Sequence, residues 1–174
     1  DVGGTNGPDP YSSLNSDAIN ITPVNQAICD SLNYDEVNQK VELFHSPIVW
    51  SRNGEMKGDK IDLILADSTL ERAEIYENAT VLMEVDSGEY YNQVAGKHIT
   101  SLFSENELTR TDVTGNARTI FFPEKEEKTD TNVVIKRIGM NRLFASDLRV
   151  YLDSGEVTGI TYFDQPDGIF FPMD

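Results

Sequence analysis

A recurring pattern of strand, polar turn, strand and corner constrains the fold of this chain more than any other sequence feature. The pattern is clearest over 95–122, where Ile99 and Phe103 fall on one face of the first predicted strand. A polar turn follows at 104–107, and a second strand rich in Thr and Val follows that turn. Gly115-Asn116 interrupts the second strand, which then resumes. The interruption predicts a corner at which the chain changes direction.

The same pattern occurs 38 residues earlier and 49 residues later. Each copy carries aliphatic side chains on one face of its first strand and has a corner after its second strand. The three corners are Asn78-Ala79, Asn116-Ala117 and Gln165-Pro166. A weaker copy precedes them; it needs one deleted residue to keep its register, and it has Ser46-Pro47 at its corner. A one-residue slip in register would turn every side chain of a strand to the opposite face. Copies that keep the same register are therefore predicted to have their corners at equivalent positions in the fold.

The distribution of residue types favours strands throughout. No long segment has the apolar spacing of an amphipathic helix, whereas β-branched and aromatic residues lie between turn signals such as Asn53-Gly54. Each repeat exposes an apolar face that it cannot cover alone and that stacked neighbours would cover. The sequence therefore predicts an all-β fold, either a repeat-built β-jelly roll or a sheet folded over into a trough.

The chain divides into a short N-terminal part and one β domain. The prediction assigns 1–28 to a linker or ragged N-terminal segment and 29–174 to the β-repeat domain. Within this boundary region, Thr22-Pro23 suits the start of a short helix, and the competing interpretation, which we favour, makes 28–34 the first strand. The charged segment 123–132 is predicted to be an exposed loop, and 133–138 to re-enter the sheet.

Composition excludes several classes of partner. The formal net charge of −16 argues against nucleic acid, whose phosphates would repel such a surface, and against simple electrostatic docking to anionic lipid. The length of 174 residues suggests a single domain. The lone Cys29 allows no internal disulfide, and no apolar run approaches the ~20 residues of a membrane helix. Since the chain begins at Asp1 without Met, we expect that a leader or upstream domain has been removed.

The titratable residues do not form a recognisable catalytic or metal-binding motif. His45 and His98 are the only histidines, and neither has a Cys or carboxylate at ligand spacing in the sequence. The motif Asp-Ser-Gly-Glu at 86–89 and 153–156 is better explained by hairpin turns than by calcium loops. Nucleophile-elbow and phosphate-loop motifs are absent from the sequence. We therefore predict no catalytic residues, no metal site, no cofactor and no enzymatic activity.

One aliphatic stripe has a possible binding function. Its members recur on one face of the first strand of successive copies: Ile61, Leu63, Leu65, Ile99, Phe103, Leu148, Val150 and Leu152. Two interpretations remain open. The stripe belongs either to an ordinary closed core or to a core that stays partly open and accepts an apolar ligand.

Several segments together resemble a known family. The run over 41–65, the segments 75–85 and 111–123, and the ending Pro-Asp-Gly-Ile-Phe-Phe-Pro-Met-Asp carry the resemblance. Gly58-Asp59 and Gly96-Lys97 stand before a first strand, and Asn-Ala pairs stand at the corners. These features resemble the OstA-like (organic solvent tolerance A) repeats of periplasmic lipopolysaccharide transport proteins, and the ending resembles the variant of Bacteroidetes-type relatives. The resemblance covers roughly residues 29–172.

The resemblance implies a function as well as a fold. It implies a periplasmic β-jelly-roll trough that shields lipid A acyl chains while lipopolysaccharide crosses to the outer membrane. It also implies end-to-end contacts with other OstA-like domains. On this interpretation the aliphatic stripe lines a lipid channel. The alternative is a structural β-repeat segment of a larger envelope protein, with a closed dry core and no ligand.

Overall fold

The computed structural model of the protein describes residues 21–52 and 54–173. Nearly all of this part of the chain is antiparallel β structure, which confirms the predicted all-β fold. The strands are β1 (Val24–Ile28), β2 (Ser31–Asp35), β3 (Lys40–Phe44), β4 (Ile48–Ser51), β5 (Gly54–Lys57), β6 (Lys60–Ala66), β7 (Thr69–Val85), β8 (Tyr90–Ser104), β9 (Glu107–Phe121), β10 (Glu124–Lys128), β11 (Val133–Arg137), β12 (Gly139–Asp153), β13 (Glu156–Phe163) and β14 (Asp167–Pro172). Twelve of them form one sheet, and β10 and β11 form a separate hairpin.

The long strands β7, β8, β9 and β12 bend in the middle and divide the sheet into two layers. Their ladders break at matching places, between Tyr76 and Ala79 on β7 and between Ala145 and Asp147 on β12. On one side of the bend these strands continue with β2, β3, β6 and β13; we call this layer A. On the other side they continue with β1, β4, β5 and β14, which form layer B. The result is a sheet folded over on itself, as the alternation of the repeats predicts.

The predicted corners lie at equivalent positions of the fold. Each consists of two successive residues with positive φ followed by a small residue or proline. These pairs are His45 and Ser46, Glu77 and Asn78, Gly115 and Asn116, and Asp164 and Gln165. Asn and Gly adopt this left-handed conformation at low cost, and the short polar side chain of Asn78 also donates to Asp59 Oδ1 at 3.1 Å. The recurrence of the corners in the sequence therefore reflects one repeated bend between the layers.

The core lies between the two layers. Alternating side chains of layer A meet alternating side chains of layer B, and the cluster includes Leu63 and Ile99 from one and Val49 and Val94 from the other. The hydroxyl of Tyr162, on β13, and that of Thr119, on β9, are 2.8 Å apart and join the layers. Burial raises the pKa of Tyr162, so the phenol stays neutral in this interior.

Charged side chains cover the outer face of layer A in cross-strand rows. Glu42 and Asp62 lie directly opposite each other, and Lys60 Nζ bridges them at 3.0 and 2.9 Å. The Asn33 amide, Lys60 and Lys40 lower the pKa of Glu42 to about 2. Asp62 lies on this outer face, as the alternation of side chains along its strand predicts. However, Asp62 itself is only 2% exposed, because both lysines lie over it.

The N-terminal boundary of the β domain differs from the prediction. Residues 24–28, which the prediction places in the linker, form β1 and pair with β4. The favoured strand over 28–34 is confirmed in place of the helix, since most of it lies in β2 (Ser31–Asp35) and residue 28 ends β1. Only Ala27 of β1 is fully buried, and Asn25 and Gln26 are weak strand formers, so the sequence gives little signal there. Residues 1–20 lie outside the described part of the chain.

The charged segment after β9 also differs from the prediction. It is not a plain loop, because 124–128 form β10, and 133–137 do not re-enter the main sheet but pair with β10 as β11. The prediction that the segment is exposed is confirmed, since every residue of β10 is exposed. Hairpins occur where the turn signals predict them. β4 pairs with β5 across the Asn53-Gly54 signal, of which Asn53 is outside the described residues, and β12 pairs with β13 across 153–156.

Candidate functional site: a cleft between the layers

A cleft of about 590 Å³ opens between the two layers at the edge opposite the corners. The turns of layer A around 105–108 and 152–155 form one lip, and residues of β4, β5 and β7 form the other. The apolar lining comes from both sides and includes Met56, Val81 and Met83 from layer B, and Phe103, Leu108 and Leu152 from layer A. The cleft therefore continues the apolar interior outward to solvent.

The period of the strands explains the lining. Val81 and Met83 alternate with Leu82 and Glu84 on β7, so the two inward side chains point at layer A. Opposite them, Phe103 on β8 and Leu108 on β9 belong to the same hairpin and are partly buried against the core. The two layers diverge at this edge, and side chains that would meet in a closed sandwich instead flank open space.

The eight residues of the predicted stripe all lie on layer A, and the structure separates them into two groups. Five have at most 1% of their surface exposed and pack within the core: Ile61, Leu63, Ile99, Leu148 and Val150. Leu65 and Leu152 are each 7% exposed, and Phe103 is partly buried. Of the eight, Phe103 and Leu152 belong to the lining of the cleft. A lipid-lining role of the stripe stays a prediction.

Most of the apolar lining lies outside the predicted stripe, including Leu108 of layer A. The stripe follows the first strand of each copy, and these strands all lie in layer A. Met56, Val81 and Met83 belong to layer B, on the far side of the corners. Val81, Leu82 and Met83 form a continuous apolar run, so residue type does not show which of them point inward. Sequence alone also does not show which two faces meet across the fold.

The rim of the cleft is polar and mainly acidic. Glu84, Glu105 and Glu107 contribute carboxylates, and Arg52 contributes one guanidinium. Glu55 is held in place by two partners, since Trp50 Nε1 donates to it at 2.7 Å and Lys57 Nζ lies 2.7 Å away. The site thus has an apolar interior and a charged entrance, which suits a molecule with an apolar tail and a polar head.

His98 has a carboxylate partner that sequence spacing did not reveal. Its Nε2 lies 2.6 Å from Glu74 Oε2, and the hydroxyl of Thr100 donates to the same oxygen at 2.7 Å. Sequence spacing gives no sign of this carboxylate, because β7 and β8 bring together residues far apart in sequence. These groups lie on the outer face of layer A, away from the cleft. Within residues 21–52 and 54–173, no group of three or more His, Cys, Asp or Glu side chains has the arrangement of a metal site.

The last strands of the two layers present an open apolar end. In the described part of the chain, β13 and β14 each pair with β12 alone, so their outer edges have no strand partner. Val157 and Ile160 of β13 face the interior and are only partly buried, and Phe170 of β14 is 46% exposed.

No helix in the described part of the chain is long and apolar enough to cross a membrane.

The fold and the cleft define a class: an antiparallel β-jellyroll-like sheet folded over an apolar interior. A solved structure of this class is LptH from Pseudomonas aeruginosa, described as the LptA-homologous periplasmic component of the lipopolysaccharide transport device. The match has a TM-score of 0.61 and 11% identity, and it covers 85% of this chain and 94% of the LptH chain. No family model and no curated protein sequence matches the chain. At this identity the likeness shows the fold.

Proposed function

We propose that this protein is an OstA-like, periplasmic lipid-binding bridge or shuttle that shields the acyl chains of lipopolysaccharide on the way to the outer membrane. The observation that carries the proposal is the cleft between the layers, lined by Phe103, Leu108 and Leu152 on one side and Met83 on the other. The likeness in fold to a component of a lipopolysaccharide transport device supports it. We propose neither a catalytic activity nor a bound metal or cofactor for this protein.

The cleft would bind acyl chains through the hydrophobic effect. Each CH₂ group moved from water to an apolar wall gains ~0.8 kcal/mol. An acyl chain of ordinary length carries enough such groups to offset the cost of ordering it and to leave a favourable net binding energy. The acidic rim gives a phosphorylated head group no such gain. The head group would therefore stay at the entrance, with divalent cations or a basic partner between it and the glutamates.

Site-specific photo-crosslinking tests this proposal. A photoreactive residue in place of Phe103 or Leu152, in cells that make lipopolysaccharide, should capture lipopolysaccharide, because both side chains line the cleft. The matched control replaces His98, which lies on the outer face of the same layer and should give no capture. Capture without preference for the inward positions, or no inward capture, would contradict the proposal.

A second function has an observation in its favour. Ile61, Leu63 and Ile99 are completely buried, as in the closed core of a structural β-repeat segment. If the protein is such a segment of a larger envelope protein, its interior stays dry, and the inward positions yield no lipid adduct. The crosslinking experiment therefore separates the two functions.

We also propose that the open sheet ends mediate end-to-end association with another OstA-like domain. Among the described residues, β1 and β2 stand at one end of the layers and β13 and β14 at the other, and the outer edges of such strands present unpaired N–H and C=O groups. Because these contacts join two different surfaces, they produce open chains that lengthen as concentration rises.

Replacement of Phe170 by Lys should shorten these chains, because it places a charge on an exposed apolar edge strand. Tyr91→Lys is the control, since Tyr91 is 48% exposed, close to the 46% of Phe170, but lies on β8. Light scattering over a concentration series measures the outcome. A strictly monomeric wild-type protein, or equal effects of the two variants, would count against the proposal.

A further inference from the structure

The β10–β11 hairpin has an unusual position in the fold. It follows β9 and precedes β12, so it prolongs two neighbouring strands of layer B, and Ile138 N donates to Pro123 O at 3.1 Å at the junction. Among residues 21–52 and 54–173, β10 and β11 pair only with each other. Each of the two strands therefore has one edge on which its backbone groups are available to another strand.

The base of the hairpin is firmly held. Arg137, whose side chain is 10% exposed, donates from Nε to Asp86 Oδ2 at 2.6 Å and from Nη1 to Phe122 O at 2.5 Å. Its guanidinium also pairs with Glu124 across the hairpin. These contacts tie the hairpin to the turn between β7 and β8. The free edge of β11 is therefore held in an extended conformation before any partner arrives, which lowers the entropic cost of adding a strand.

The apolar surface of the hairpin lies along β11 and not at its tip. Val133, Val134 and Ile135 are 57%, 43% and 58% exposed, and consecutive strand residues point to opposite faces. The tip is polar, since Thr129 N donates to Asn132 O at 2.8 Å within the turn. A hairpin that enters lipid needs an apolar tip, whereas apolar side chains on both faces of an edge strand suit pairing with a further strand.

The charge distribution indicates which strand would pair with β11. Four acidic and four basic side chains cancel over 124–137, so the formal charge of −16 lies on the rest of the chain. Two copies of such an acidic protein repel each other over most of their surfaces. The neutral hairpin is where they can approach with the least repulsion.

We propose that β11 pairs antiparallel with β11 of a second copy and forms a four-stranded sheet across a twofold axis. With the axis at Val134, Val133 faces Ile135 of the second copy and Lys136 faces its Asn132, so like charges are not directly opposite. The pairing closes after two copies, unlike association through the sheet ends. Five-residue strands bury far less than the ~1,000 Å² of a stable interface, so the dimer is transient.

Sedimentation equilibrium of the full chain tests the proposal, with Phe170→Lys as the background so that association through the sheet ends is weakened in every sample. We expect a monomer–dimer equilibrium that shifts toward dimer when NaCl is raised from about 0.05 M to about 0.5 M, because salt screens the repulsion between two acidic molecules. Ile135→Lys should lower the association constant at least about tenfold, which corresponds to about 1.4 kcal/mol. Val37→Lys is the matched control, because it adds the same charge at a turn residue that is 91% exposed, and it should dimerise like the background.

Hydrogen exchange of the amides of 133–136 provides a second readout. Protection that rises with protein concentration, and that Ile135→Lys removes while the melting temperature stays constant, supports the pairing. A monomer at every salt concentration overturns it, as does equal dimerisation of Ile135→Lys and Val37→Lys. Protection that is independent of concentration also overturns it, since the edge would then be covered within one molecule, for example by residues 1–20.

Discussion

Replacing Gly96 by Ala should destabilise the protein measurably, although the change adds only one methyl group. Gly96 lies where β8 passes from layer B to layer A, and it pairs with Ala79 beside the corner of β7. A Cβ at this position would overlap Val113 Cγ1 and lie 3.1 Å from Gly115 O. Val113 is 1% exposed and Gly115 belongs to the next corner, so neither neighbour can move without disturbing the core.

The expected cost of Gly96→Ala is that of overpacking a closed core, about 1–3 kcal/mol. For a chain of this size, this corresponds to a melting temperature lower by roughly 2–12 °C. Gly159→Ala is the matched control, because Gly159 also lies in a strand but the nearest atom to an added Cβ is Tyr151 Cδ2 at 3.8 Å. That variant should be neutral or slightly more stable, since Gly is a poor strand former. Thermal unfolding of both variants measures the difference, and equal melting temperatures would show that the bend is not tightly packed.

The bend illustrates what the sequence predicts well. Corners need residues that tolerate positive φ, and Asn78, Asn116 and Gln165 recur at the spacing of the repeats. Alternation then gives the inward face of each strand, which is why the aliphatic stripe lies inside the fold. These features are local, because each depends on a few consecutive residues and the period of a strand.

The features that the sequence did not predict depend on contacts between distant segments. The contact between His98 and Glu74 crosses two strands, and the cleft combines Phe103 with Met83 from the other layer. Among the described residues, the charged strand β10 pairs only with β11 and covers no core, so it has no apolar alternation of its own. The short strand β1 also shows no apolar alternation in the sequence, because only one of its side chains is fully buried.

Two truncations should separate the closed part of the interior from the cleft. Leu148 and Phe103 both belong to the predicted stripe, but Leu148 is 1% exposed within the core, whereas Phe103 is partly exposed and lines the cleft. Leu148→Ala should lower the free energy of unfolding by about 2–5 kcal/mol, because it removes transfer energy and leaves a cavity. Phe103→Ala should cost clearly less, because its side chain retains contact with solvent in the folded state. Denaturant unfolding measures both values.

Binding should show the opposite order, if the proposed function is right. A fluorescent fatty-acid probe should bind Phe103→Ala roughly tenfold more weakly, a loss of about 1.4 kcal/mol, because an aromatic wall of the cleft is missing. Leu148→Ala, measured at a temperature where it remains folded, should bind the probe like the wild type. Equal loss of binding in both variants would mean that a channel extends through the core beneath Phe103 and that the stripe lines it over its whole length. Unchanged binding in both would mean that acyl chains do not occupy the cleft, because no other aromatic side chain lines it among the residues that the structure describes.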